Sequence, residues 1–165
     1  TIPAEILDRL NEGVSETLHH GHEDSQAKDG MDLSFCTVDF KKMELQYAGA
    51  YNPLYLIRDG KLIQTKADKF PIGLFLGEEK KKFTNHTIQL QKGDSVYIFS
   101  DGYADQFGGP NGKKFMANHF RDLLLQVHSA PIDKQKEVLN KTIEEWRGPL
   151  DQVDDILVIG LKIPN

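Results

Sequence analysis

Cysteine is almost missing from this chain: Cys36 is the only one in 165 residues. An intrachain disulfide is therefore excluded, and with it a disulfide-stapled secreted scaffold, so a reducing, cytoplasmic compartment is the simpler expectation. Basic excess is missing too. Twenty Lys and Arg stand against 25 Asp and Glu, a formal charge of -5. Surfaces that bind nucleic acid concentrate cations to neutralise phosphates, so no nucleic-acid partner is expected. The run Lys80-Lys81-Lys82 is an isolated basic patch and reads as a solvated loop. No apolar run reaches the roughly 18 residues of a membrane span and no signal-peptide pattern is visible, so this chain is expected to make no direct membrane contact, whatever anchors a parent protein. Internal repeats and low-complexity linkers are absent. Regular βα alternation is absent as well, which excludes a doubly wound parallel sheet. What is present is enough apolar material, 39% of the chain, to give one domain over residues 1–165 a real core.

Ile6, Leu10, Val14 and Leu18 recur at i+4, with Leu7 widening the stripe and Pro3 in the first turn. This spacing predicts an amphipathic helix over 3–20. The polar stretch that follows contains His19, His20 and His22; with no second cluster to complete a tetrahedral site, it reads as a solvated helix end and loop. From Asp32 to Asp39, Leu33, Phe35 and Thr37 alternate with Ser34, Cys36 and Val38, a strand with both faces partly covered and Cys36 as packing material. Glu44 to Ala50 makes its partner. Pro53 to Arg58 and Lys61 to Lys66 form a second hairpin about Asp59-Gly60, a dipeptide suited to positive φ, and the two hairpins together read as a β-meander. Residues 67–84 read as a connecting loop. His86 to Leu90 and Ser95 to Ser100 are expected to pair through the turn Gln91-Lys92-Gly93-Asp94. Helices are expected over 115–128 and 132–146, the second with Pro131 at its entry and Val138, Leu139, Ile143 and Trp146 on one face. Ile156 to Ile163 is nearly continuously apolar and predicts a closing strand buried on both faces. Strand pairs followed by helices segregated before a last strand define an α+β class with a largely antiparallel sheet system.

Chemistry concentrates at two places. The apolar run Val96-Tyr97-Ile98-Phe99 ends in Ser100-Asp101-Gly102, and Asp154-Asp155 opens the closing apolar run. A carboxylate leaving one core strand and another entering a second can hold a divalent cation between them, and hard oxygen donors suit magnesium or manganese. Each has a plainer reading. Asp101 serves equally as an Asp-Gly turn or the N-cap of a short helix, and Asp154-Asp155 as a solvated acidic turn. Asp154 and Asp155 are adjacent on extended chain, so only one of them can face a given site. Asp105, four residues after Asp101, shares its face if the segment is helical.

Taken together, these residues resemble a known family. Gly93-Asp94-Ser95-Val96-Tyr97-Ile98-Phe99-Ser100-Asp101-Gly102 is similar to the GD-x-hydrophobic-(S/T)DG segment of metal-dependent serine/threonine phosphatases of type 2C (the PPM superfamily), in their bacterial SpoIIE branch. Ala48-Gly49-Ala50-Tyr51-Asn52-Pro53, Pro71-Ile72-Gly73-Leu74 and Asp154-Asp155-Ile156-Leu157-Val158 match further elements of that family in the same order. The resemblance implies an antiparallel β-sandwich flanked by helices, with two manganese or magnesium ions at one end. It implies Asp101, Gly102 and Asp154 at the metals, Asp155 and Asp105 in support, and a metal-activated water, with no protein nucleophile, that hydrolyses phosphoserine or phosphothreonine. The implied partner is a phosphorylated regulatory protein of the anti-sigma-factor-antagonist kind.

The family's Asp-x-x-Gly-His-Gly-type segment, which supplies a further bridging carboxylate, has no counterpart here. The resemblance therefore implies the C-terminal portion of a catalytic domain, N-terminally truncated. For these residues alone it implies an incomplete metal centre, uncovered sheet edges and self-association. Ala50 stands where many relatives carry histidine, which either alters a contact or marks a subfamily. Two functions stay open: a protein phosphatase, and a catalytically inactive phosphatase-like interaction module.

Overall fold

A computed structural model of the chain describes residues 1–19, 30–73 and 81–164. The chain divides into two compact units, one of Thr1–Leu54 and Thr65–Gln91, the other of Tyr55–Gln64 and everything from Lys92 on. The histidines His20 and His22, with Leu74 and Lys80, lie outside the described residues. Among the described residues no helix is long and apolar enough to cross a membrane.

The first unit opens with helix α1 (Pro3–His19). Its buried line is centred on Ala4 and Leu7, with Leu10 and Val14 packed alongside, one position round from the stripe read in the sequence. That face packs with Ala48, Ala50, Phe70, Ile72 and Phe83, and the rings of Phe70 and Phe83 lie 4.5 Å apart. Strands β1 (Leu33–Asp39) and β2 (Glu44–Ala50) pair antiparallel from Leu33↔Ala50 to Asp39↔Glu44. Asp39 turns the hairpin by accepting the amides of Lys41 and Lys42 at 2.9 and 3.0 Å. On its other side β2 pairs with β5 (His86–Gln89), giving a sheet ordered β1-β2-β5. The described parts of the stretch read as a connecting loop, 67–73 and 81–84, do more than connect. Ile72 exchanges both backbone hydrogen bonds with Met31, and α1 reaches out to take the amides of Gly73 and Phe83 on Asn11 and Asp8. Ala50 is fully buried in the cluster under α1.

The second unit carries a four-stranded sheet. Strands β3 (Leu54–Arg58) and β4 (Lys61–Thr65) turn on Asp59 and Gly60, whose φ angles of 50° and 70° are those of a tight hairpin. Strand β6 (Ser95–Phe99) pairs antiparallel with β9 (Val158–Lys162), Tyr97 opposite Gly160. Between them run the single-turn helix α2 (Gly102–Asp105), a small hairpin of β7 (Phe107–Gly108) and β8 (Lys113–Lys114), and helices α3 (Ala117–Val127) and α4 (Ile132–Arg147). The core of this unit is aromatic-rich: Tyr55, Tyr97, Tyr103, Phe115 and Phe120 pack with Leu124, Leu139 and Ile143.

The class is the expected one, α+β with antiparallel sheets flanked by helices. Three features differ from expectation. The two hairpins do not form a meander, because Tyr51, at φ 58°, and Asn52-Pro53 break the chain between β2 and β3, and Tyr47 and Ser34 hydroxyls both lock the Asn52 carbonyl at 2.6 Å. Nor do β5 and β6 pair: β5 joins β2, and β6 joins β3 and β9. At β6 the entry is fixed by Arg58, whose Nε and Nη2 donate to both Asp94 oxygens at 2.9 and 2.7 Å. Finally, β9 is shorter than expected and not buried on both faces. Leu157 and Ile159 are 56% and 51% exposed, because 151–157 is held in turns by side chains and β9 ends its sheet among the described residues.

Candidate metal-facing turns

Strand β6 delivers Ser100 and Asp101 to the end of the sheet, where the ladder with β9 gains one further backbone bond, Ser100 N to Leu157 O at 3.0 Å. The Ser100 hydroxyl then does the work of another strand residue. It donates to the Asp155 carbonyl at 2.6 Å and accepts the Leu157 amide at 2.9 Å. Asp101 caps α2 with φ -71° and ψ -18°, but its side chain makes no capping hydrogen bond. The carboxylate is exposed and without a protein partner among the described residues. The helix-cap reading thus accounts for the backbone of Asp101 and not for its charge.

Gly102 brings the two acidic segments into contact. A Cβ at this position would lie 2.4 Å from the Asp155 carbonyl oxygen, 2.9 Å from its carbon and 3.4 Å from the Asp154 carbonyl carbon. Only a residue without a side chain lets the turns approach this closely. On the facing turn, Asp154 accepts the Asp155 amide on Oδ1 at 2.7 Å, and its carbonyl accepts Gln152 Nε2 at 2.8 Å. Asp154 and Asp155 are both exposed, and neither forms an ion pair among the described residues. Asp105 sits one turn on in α2 and is engaged elsewhere, with Lys114 Nζ at 2.8 Å.

The structure therefore brings Gly102, next to Asp101, against the main chain of Asp154 and Asp155, and directs Asp105 towards β8. The donors on the two turns are carboxylate oxygens, the chemistry magnesium and manganese prefer. Among the described residues no group of three or more His, Cys, Asp or Glu converges on one point. These residues fit one side of a divalent-cation site rather than a complete cage.

Two features of this region escape a reading by pattern. Ser100 is visible as part of a motif, yet its double bond to the opposite turn is not. Gln106, a polar residue after an acidic one, gives no sign that it is completely buried. Beyond the turn, Ile156, Leu157 and Val158 form one wall of an open groove of about 270 Å³ floored by Tyr97, Tyr103 and Leu139.

A family model and solved structures match this chain. The family model described as Stage II sporulation protein E (SpoIIE) matches residues 1–164, and the chain belongs to that family. No curated protein sequence matches the chain. Among solved structures it is similar to the SiaA-PP2C domain of Pseudomonas aeruginosa, with 27% identity and a TM-score of 0.84 over 98% of this chain and 61% of that one. It is also similar to the phosphatase domain of SpoIIE from Bacillus subtilis presoaked with manganese, at 15% identity and TM-score 0.59, covering 97% of this chain and 72% of that one. A third likeness is to the PPM Ser-Thr phosphatase MsPP of Mycobacterium smegmatis in complex with cacodylate, at 16% identity and TM-score 0.60, covering 96% and 72%. The chain thus spans about three-fifths of the SiaA domain, and it is a phosphatase-like module in fold and family.

Proposed function

We propose that this chain is the C-terminal portion of a metal-dependent protein serine/threonine phosphatase domain in a bacterial signalling protein. The observation that carries this reading is the contact between Gly102 and the Asp155 main chain, beside Asp101 on one turn and Asp154 on the other, neither of which forms an ion pair among the described residues. In this reading Asp101, Gly102 and Asp154 hold magnesium or manganese, two ions in the complete domain. Asp155 supports them through the main chain that packs on Gly102, and Asp105 through the α2 turn it shares with Asp101. A divalent ion bound there supplies a water acidic enough to act as nucleophile near neutral pH. The chain's own part is to fix where the carboxylates stand. The substrate is a phosphoserine or phosphothreonine on a regulatory partner resembling an anti-sigma-factor antagonist. The relatives support this reading through a manganese-soaked phosphatase domain and a phosphatase holding cacodylate, an oxyanion.

A second reading, an inactive phosphatase-like interaction module, is favoured by one observation: the described residues assemble no three-ligand group. Hydrolysis of p-nitrophenyl phosphate with manganese, by the longest natural polypeptide carrying these residues, separates the two. Turnover that disappears in Asp101→Asn supports the phosphatase. A folded polypeptide without turnover, or one whose turnover ignores that substitution, sinks it.

A further inference from the structure

We propose that Gln106 is a positioning residue, which holds the turn carrying Asp154 at its working distance from Asp101; this rests on the functional reading above. Gln106 follows α2 and is 0% exposed. Its carboxamide Nε2 donates to the Phe107 carbonyl at 3.0 Å and to the Asp151 carbonyl at 2.9 Å, and its Oε1 accepts the Val153 amide at 3.4 Å. Its main chain is equally occupied. The amide donates to Gly102 O at 3.0 Å, and the carbonyl accepts Phe115 N at 2.9 Å and Trp146 Nε1 at 3.1 Å. One residue is therefore fixed to the Asp101–Gly102 turn by its backbone and grips residues 151 and 153 with its side chain.

Ser100 grips the other flank of the same turn, at Asp155 and Leu157. Asp154 is clamped from both sides by residues that bracket Asp101 in the sequence. The chemistry at 106 is specific to a carboxamide of this length. Two carbonyls need donors, one amide needs an acceptor, and burial makes each unmet group costly. Ionised Glu supplies no donor, and Met supplies no donor and only a weak acceptor. Groups that orient metal ligands without touching the metal commonly govern affinity about 10- to 100-fold.

The test uses the longest natural polypeptide carrying these residues, with manganese alone as probe. Manganese affinity is measured for the native protein, Gln106→Glu, Gln106→Met and Asp101→Asn, and amide exchange is followed without metal. The expected result is manganese binding weakened about tenfold or more in both Gln106 variants, with faster exchange at 151–155 and unchanged exchange in β6. Unchanged manganese affinity in a folded Gln106 variant overturns the proposal. So does a native protein whose Val153 amide exchanges as freely as that of its exposed neighbour Gln152, a measurement that needs no variant to fold. If Asp101→Asn leaves manganese binding unaltered, the metal reading of the site fails by itself, and the exchange data still decide whether Gln106 holds the turn.

Discussion

The main-chain oxygen of Asp155 occupies the space in which any residue other than glycine would place its Cβ at position 102, 2.4 Å from that point. Because the obstacle is backbone, Gly102→Ala must push the acidic turn away. The expected outcome is a loss of stability of about 1–3 kcal/mol, with metal-dependent phosphate-ester hydrolysis reduced by roughly 10²-fold. Thermal melting and turnover of p-nitrophenyl phosphate read the two effects. Native turnover in a folded Gly102→Ala protein would refute the role given to this contact.

Ser100→Ala removes the donor to Asp155 O and the acceptor of Leu157 N at once. A loss of about 1–3 kcal/mol is expected in urea denaturation, with faster exchange of the Leu157 amide. An unchanged Leu157 exchange rate would show that the hydroxyl does not hold the turn.

The pair Arg58 and Asp94 joins β3 to the start of β6, with the Asp94 side chain 1% exposed and that of Arg58 23%. Truncating Arg58 to Ala leaves the carboxylate buried without its guanidinium, and a cost of about 3 kcal/mol is expected. The double cycle of Arg58→Ala and Asp94→Ala should return a coupling above about 1 kcal/mol. Additive single effects would contradict this.

Met116, 52% exposed, holds φ 77° and ψ 143°, a region that favours glycine. Its amide is tied to Ala104 O at 2.7 Å and its carbonyl to the first turn of α3. Met116→Gly is expected to raise stability by roughly 1 kcal/mol through relief of this strain, seen as a higher melting temperature. A lower one would show that the side chain contributes more than the strain costs.

Burial raises the phenol pKa of Tyr47, Tyr97 and Tyr103, each of which donates to a buried oxygen. A raised folded-state pKa contributes stability in full below the unfolded value, about 10 for tyrosine, and that contribution is lost as pH climbs from there towards the folded value. Alkaline unfolding is thus expected as pH climbs through that range, with phenolate absorbance from these residues appearing together with loss of the fold. Their ionisation in an intact fold would argue against this account.

Local signals carried much of the architecture. Alternation placed β1 and β2 within a residue of their observed ends, Asp59-Gly60 marked its hairpin, and the stripe of Leu139 and Ile143 marked α4. Pairing between distant strands was not legible. Whether β2 meets β3 or β5 depends on the break at Tyr51-Asn52-Pro53 and on side chains folding back onto the Asn52 carbonyl, and periodicity carries neither. In the candidate site Asp101 and the Asp154-Asp155 pair could be noticed as acids at the ends of apolar runs, and their assignment with Gly102 to a metal came from the family resemblance. Gln106 could not, because its value lies in hydrogen bonds to a carbonyl 45 and an amide 47 residues away in sequence.

Lys162, the one charged residue of β9, turns inward and donates to the carbonyls of His128, Ser129 and Ala130 at 3.1, 2.8 and 3.2 Å. An ammonium on a terminal strand ordinarily deters other strands from docking, and here it is committed to closing the α3–α4 loop. Ile159 of β9 and Leu157 just before it stay exposed, and β9 itself carries no other charged residue. For anyone purifying these residues by themselves this is a colloidal matter: light scattering should rise with protein concentration, and a lysine in place of Ile159 should restore a clear solution.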